Sequence, residues 1–136
     1  MNNSELVKLA LEARKMSYSP YSGFSVGAAL LCDDGTVYKG CNIENSAFSP
    51  TNCAERTAFF KAVSEGKRDF VKIAVVGGES DIEIPRNYCP PCGMCRQVMK
   101  EFCSSDFEII IAKNENDFKI KTILELLPES FDKREV

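Results

Sequence analysis

Seven cysteines and no histidine occur in 136 residues, and four of the seven sit in two short segments. These are Thr51-Asn52-Cys53-Ala54-Glu55-Arg56 and Cys89-Pro90-Pro91-Cys92-Gly93-Met94-Cys95-Arg96-Gln97. Without imidazole, a metal must be held by thiolate or carboxylate, and proton transfer near neutral pH needs a tuned Glu, Asp, Lys, Tyr or Cys. Both segments open a predicted helix. There the unpaired backbone amides and the macrodipole favour negative charge, which lowers a thiol's pKa. Cys92 and Cys95 are three apart and share one face of a turn, and Pro90-Pro91 stiffen the approach to it. If Cys53 joins them from the other helix, zinc has three protein ligands and one open tetrahedral corner, the arrangement of a catalytic rather than a structural site.

Glu55 lies two residues beyond Cys53, roughly 200° round an ideal helix. The conflict disappears if Cys53 is the N-cap with non-helical dihedrals, which leaves Glu55 in the first turn, leaning toward the metal. A carboxylate there can take a proton from water and return it to a substrate. Three thiolates overcompensate the charge of a zinc ion and weaken it as a Lewis acid. Arg56, three residues after Cys53, is placed to donate to the sulfurs and offset that excess.

Composition narrows the class. The chain is long enough for about one domain, and 44% hydrophobic with 27% charged residues is ordinary globular composition. Seventeen basic against twenty acidic residues give a net charge of −3, the wrong sign for tracking a polyphosphate backbone, so no nucleic-acid partner is expected. No apolar run approaches the ~20 residues that cross a bilayer. The first fifteen residues are charged and helical in pattern, unlike a secretory signal, so the expected compartment is the reducing cytoplasm, where clustered cysteines point to metal or catalysis. Cys32, Cys41 and Cys103 read as small buried hydrophobes.

The elements that must position these segments follow from periodicity and turn residues. Residues 3–16 form an amphipathic helix with Leu6, Val7, Ala10, Leu11, Ala13 and Met16 inward and Asn2 with Glu5 as a capping pair. Phe24 to Leu31 and Val37 to Ile43 flank a hairpin turn at Asp33 to Thr36. A loop from Glu44 to Asn52 leads into the Cys53 helix, which Gly66 stops. Strand Val71 to Val76, a long loop from Gly77 to Pro91, helix Cys92 to Cys103, strand Phe107 to Ala112, a short edge strand Phe118 to Lys121 and a helical turn Thr122 to Leu127 complete the chain. The order suggests an α/β fold of three layers, α/β/α, on a mixed sheet of about five strands, with residues 1–136 as a single domain.

Cys53-Ala54-Glu55-Arg56 and Pro91-Cys92-Gly93-Met94-Cys95-Arg96-Gln97 resemble the paired signatures of the cytidine deaminases, small zinc enzymes of pyrimidine salvage, and the likeness runs from Tyr18 to Phe131. It implies one zinc ion per subunit on Cys53, Cys92 and Cys95, with Glu55 as acid and base. It also implies a nucleoside substrate held by Phe24, Asn42, Glu44 and Ala54, with Asn42 and Glu44 on ribose hydroxyls. The expected assembly is a homotetramer with shared active sites, in which Phe131 reaches a neighbour's pocket. The implied reaction is hydrolytic deamination of cytidine and deoxycytidine.

Phe48 stands where the family usually has Tyr, and Cys89 makes a C-x₂-C-x₂-C run that the family does not need. Three other readings stay open on these residues: a closed, non-catalytic Cys₄ zinc module with Cys89 as fourth ligand, an iron–sulfur protein lacking the usual fourth Cys-Pro, and a deaminase of a nucleoside antibiotic.

Overall fold

The computed structural model describes residues 1–133. Its first element, α1 (Asn3–Arg14), starts at a capping box in which the Glu5 amide donates to Asn2 Oδ1 at 2.8 Å and the Asn2 amide to Glu5 Oε2 at 3.2 Å. Leu6, Val7 and Ala10 are fully buried on the sheet, whereas Met16, expected on the same face, lies beyond the helix end and is exposed.

β1 (Phe24–Cys32) and β2 (Val37–Cys41) form an antiparallel hairpin whose turn contains Gly35 at φ +90°, and α2 (Ala54–Ser64) follows. β3 (Phe70–Glu79), α3 (Gly93–Phe102), β4 (Glu108–Asn114), β5 (Asp117–Thr122) and the short α4 (Ile123–Leu126) complete the order. The sheet runs β2-β1-β3-β4-β5, with β3 and β4 parallel and every other neighbouring pair antiparallel. It is the mixed five-stranded sheet expected, and α3 is the crossover that a parallel pair requires.

Strand alternation sorts the core into two faces. Ala28, Leu30, Ile73, Val75, Ile109 and Ile111 pack with α2 and α3 through Ala58, Phe59 and Met99. Ala29, Ala74, Val76 and Ile110 pack with α1. Three layers, α/β/α, result. Cys32 is buried as expected of a small apolar residue, and Cys41 and Cys103 are half-buried.

Two strands depart most from their sequence reading. β2 stops at Cys41, and Ile43 instead makes single bridges to Tyr18 and Asn52. β3 runs past Val76 through Gly77 and Gly78, because β1 pairs with it as far as Phe24 opposite Glu79. Gly77 is there for close approach and not for a turn: a Cβ would stand 2.7 Å from Cys89 Sγ and 3.1 Å from the Phe24 ring.

A second close approach seats α2. A Cβ on Gly40 would lie 2.6 Å from the Ala58 nitrogen and closer still to the Ala54 carbonyl oxygen, so the helix backbone would have to move. Gly40→Ala is expected to lower the unfolding free energy by about 1–3 kcal/mol or more in urea titration. Gly93→Ala, whose Cβ would meet open space, is expected to cost nothing.

Candidate metal centre

Cys53 and Cys92 occupy the same position in two different helices. Each is an N-cap in extended conformation, at φ −78°, ψ 157° and φ −69°, ψ 168°, and neither makes a side-chain capping bond. Neither thiol is therefore taken up by a capping bond to its own helix. Cys95 lies in the first turn of α3 and is buried. The Cys53 and Cys92 sulfurs are 3.7 Å apart, those of Cys92 and Cys95 3.4 Å, and all three lie within 4.8 Å of one another. Tetrahedral zinc with Zn–S near 2.3 Å needs sulfurs about 3.8 Å apart, so the three thiols fit the ion with small adjustments.

The N-cap conformation of Cys53 resolves the offset to Glu55, which sits in the first turn of α2, 4% exposed, and lines one cavity of about 200 Å³ with Cys53 and Cys92. Burial raises its carboxyl pKa to about 7, and the charge of Cys53 adds to that rise against bonds from its own backbone amide and from Cys95. Arg56 Nη2 donates to Cys53 Sγ at 3.2 Å. Desolvation opposes the Arg56 charge, but the sulfurs of Cys53 and Cys95 outweigh it and raise its pKa. The Cys53 thiol is lowered to about 5, first by the bond from Cys95 and then by Arg56, while Cys95, the donor, is raised.

Asn42, Glu44 and the fully buried Ala54 line the same cavity. Glu44 accepts from the amides of Tyr21 and Ser22 at 3.0 and 3.1 Å and from the Ser22 hydroxyl, and these bonds hold its pKa low, the hydroxyl most. Phe24 lies beside this cavity in an adjoining one of about 180 Å³, with Cys89 and Pro90 shared between the two. Phe131 has its ring exposed, while its carbonyl accepts from Gln97 on α3 at 3.2 Å. Phe48 sits exposed at φ +61° in the loop before α2.

Cys89 stands apart. Its thiol is outside the three-sulfur group, packed against Gly77, and burial pushes its pKa up to about 11. A larger opening of about 610 Å³ around Arg14, Ser19 and Ser80 contains none of the thiols.

Sequence reasoning missed how the Cys89–Cys92 loop is anchored. The Tyr88 hydroxyl donates to Asp117 at 2.5 Å, and the ammonium groups of Lys113 and Lys119 lie 4.6 and 4.8 Å from the centre of its ring, all three partners on the β4–β5 hairpin. Arg96 then donates from Nε to the Pro91 carbonyl and from Nη1 to that of Leu126, both at 2.8 Å. No local pattern marks the pairs with Asp117, Lys113, Lys119 and Leu126, because these partners lie far along the chain.

Residues 1–111 match the family described as the cytidine and deoxycytidylate deaminase zinc-binding region. The chain is 50% identical over 136 residues to the cytidine deaminase of Sporosarcina psychrophila, covering 100% of this chain and 96% of that one. It is 51% identical over 131 residues to the cytidine deaminase of Halalkalibacterium halodurans, covering 96% and 95%. Among solved structures, the cytidine deaminase from Burkholderia pseudomallei superposes with a TM-score of 0.87 at 41% identity, over 96% of this chain and 100% of that one.

The sulfur geometry sets an expectation for metal content, read by elemental analysis of purified variants. Cys53→Ala, Cys92→Ala and Cys95→Ala each lose zinc. Cys89→Ser keeps it, and Arg56→Ala weakens it by about 10–100-fold, the usual effect of a residue that holds a ligand in place. Loss of zinc from Cys89→Ser would make the site a closed four-thiolate one.

Proposed function

This chain belongs to the cytidine deaminase family and is by that membership a hydrolytic deaminase, and we propose that it converts cytidine and deoxycytidine to uridine and deoxyuridine with release of ammonia. The observation that carries the reading is a carboxyl only 4% exposed beside three gathered thiols, in a cavity that Asn42 and Glu44 also line.

One zinc ion per subunit, held by Cys53, Cys92 and Cys95, supplies when bound a water polarised for attack on C4 of the base. Glu55 would move both protons that the hydrolysis requires, one from the attacking water to N3 of the ring and a second from the new hydroxyl on C4 to the departing amine, so that water and cytidine become uridine and ammonia. Burial of Glu55 keeps these protons from exchanging with bulk solvent during the transfer. Arg56 steadies the Cys53 sulfur and balances its charge. Ala54 packs at the head of α2 beneath the ring, Phe24 borders it, and Asn42 with Glu44 hold the sugar hydroxyls.

The exposed ring of Phe131 supports a homotetramer with shared sites, in which it reaches a neighbouring subunit's pocket. Residues 1–136 act as one catalytic domain. All seven cysteines are free thiols, which supports a cytoplasmic setting, and no helix among the described residues is long and apolar enough to cross a membrane. The acidic balance supports a free nucleoside over a polynucleotide. Neither a Cys₄ nor an iron–sulfur reading gains support, since three sulfurs gather and the fourth does not.

Purified, zinc-loaded protein incubated with cytidine should yield equal amounts of uridine and ammonia; absence of turnover removes the proposal. Glu55→Gln keeps the shape and deletes the proton transfer, so kcat should fall by ~10²–10⁴-fold or more with zinc retained. Near-normal turnover would displace Glu55 from the role, and loss of metal would make it a ligand.

A further inference from the structure

We propose that Ser17 is a positioning residue for the sugar end of the substrate: its hydroxyl locks the Asn42 side-chain amide so that Asn42 offers the cavity a donor and no acceptor. The inference rests on the nucleoside deaminase reading above. Asn42 Oδ1 accepts from the Val26 amide at 2.8 Å, and Nδ2 donates to the Phe24 carbonyl at 2.8 Å. A backbone N–H only donates and a carbonyl only accepts, so flipping the amide would set donor against donor and acceptor against acceptor. Its orientation is therefore forced.

Ser17 completes the lock. Its hydroxyl donates to Asn42 Oδ1 at 2.6 Å, which occupies the second lone pair of that oxygen. One Nδ2 hydrogen remains, and it adjoins the cavity that Asn42 lines with Glu44. A donor next to a carboxylate suits a hydroxyl, which accepts from one and donates to the other.

Ser17 itself does not line that cavity but the separate opening behind it. Its oxygen is 3.2 Å from that of Ser19, which is 3.1 Å from both Ser25 and Ser80, and these two are 2.7 Å apart. This hydroxyl chain ties the end of α1 to β1 and to the segment after β3, so Ser17 has little freedom to turn away.

Steady-state kinetics of Ser17→Ala and Ser17→Thr, each with cytidine and with 2′,3′-dideoxycytidine, test the proposal. Ser17→Ala should raise KM for cytidine by about 3–10-fold, the effect of one hydrogen bond, with kcat within about twofold and zinc content unchanged. Its kcat/KM for the dideoxynucleoside should match that of the parent, because the 2′- and 3′-hydroxyls that Asn42 and Glu44 would hold are absent from it, and Ser17→Thr should restore the cytidine KM. An unchanged KM in Ser17→Ala, or an equal loss on both nucleosides, overturns the role of Ser17 while leaving the deaminase reading intact. A parent protein that turns over no cytidine overturns both.

Discussion

Three thiols can be brought within bonding distance of one ion only if the backbone delivers them from more than one direction, and here two helices begin at the same point. Cys53 and Cys92 are both N-caps, so both sulfurs lie in the positive field of unpaired amides, which favours the thiolates a metal needs. Much of the fold serves this convergence. The parallel pairing of β3 with β4 demands a crossover, and that crossover is α3. α2 comes near enough to meet it because Gly40 leaves room for the helix backbone to rest on β2. The stability of the sheet and the geometry of the site thus share the same contacts.

From that convergence the proposed proton chemistry follows at short range. An N-cap residue has extended dihedrals, and the chain turns into the helix just after it, so the residue two positions on meets the same space as the cap sulfur. Glu55 therefore reaches the site although simple helical spacing would send it away. The residue three positions on returns to the same side, and Arg56 uses that to hold the Cys53 sulfur. One cap conformation accounts for the proposed ligand, the proposed acid–base group and the charge that balances them within four consecutive residues.

The parts legible in the sequence were those set by local rules. The Asn2–Glu5 capping box, the hairpin at Asp33 to Thr36, the two thiol-bearing helix starts and the alternation of the central strands all follow from neighbours within a few positions. What could not be read depends on partners distant in the chain. Gly77 looked like the start of a loop because glycine usually breaks strands, yet β1 pairs alongside it and Cys89 packs where a side chain would be. Met16 fitted the helical period, but the helix ends before it. The anchoring of Tyr88 on the β4–β5 hairpin and the bond from Ser17 to Asn42 left no mark in spacing at all.

Cys89 shows how a spacing can suggest a ligand that packing withholds. Three thiols at C-x₂-C-x₂-C would all lie near one ion if the chain between them followed a single turn. Helix α3 starts only at Gly93, however, and Pro90-Pro91 cannot extend it backward, so Cys89 packs against Gly77 of β3 and its sulfur stays outside the three-thiol group. There the missing Cβ of Gly77 receives it, in surroundings that favour the neutral thiol. A fourth thiolate would close the tetrahedron and exclude the water that hydrolysis consumes. On the proposed reading, two prolines and one glycine therefore leave the fourth corner of the site to water by deciding where a single cysteine is packed.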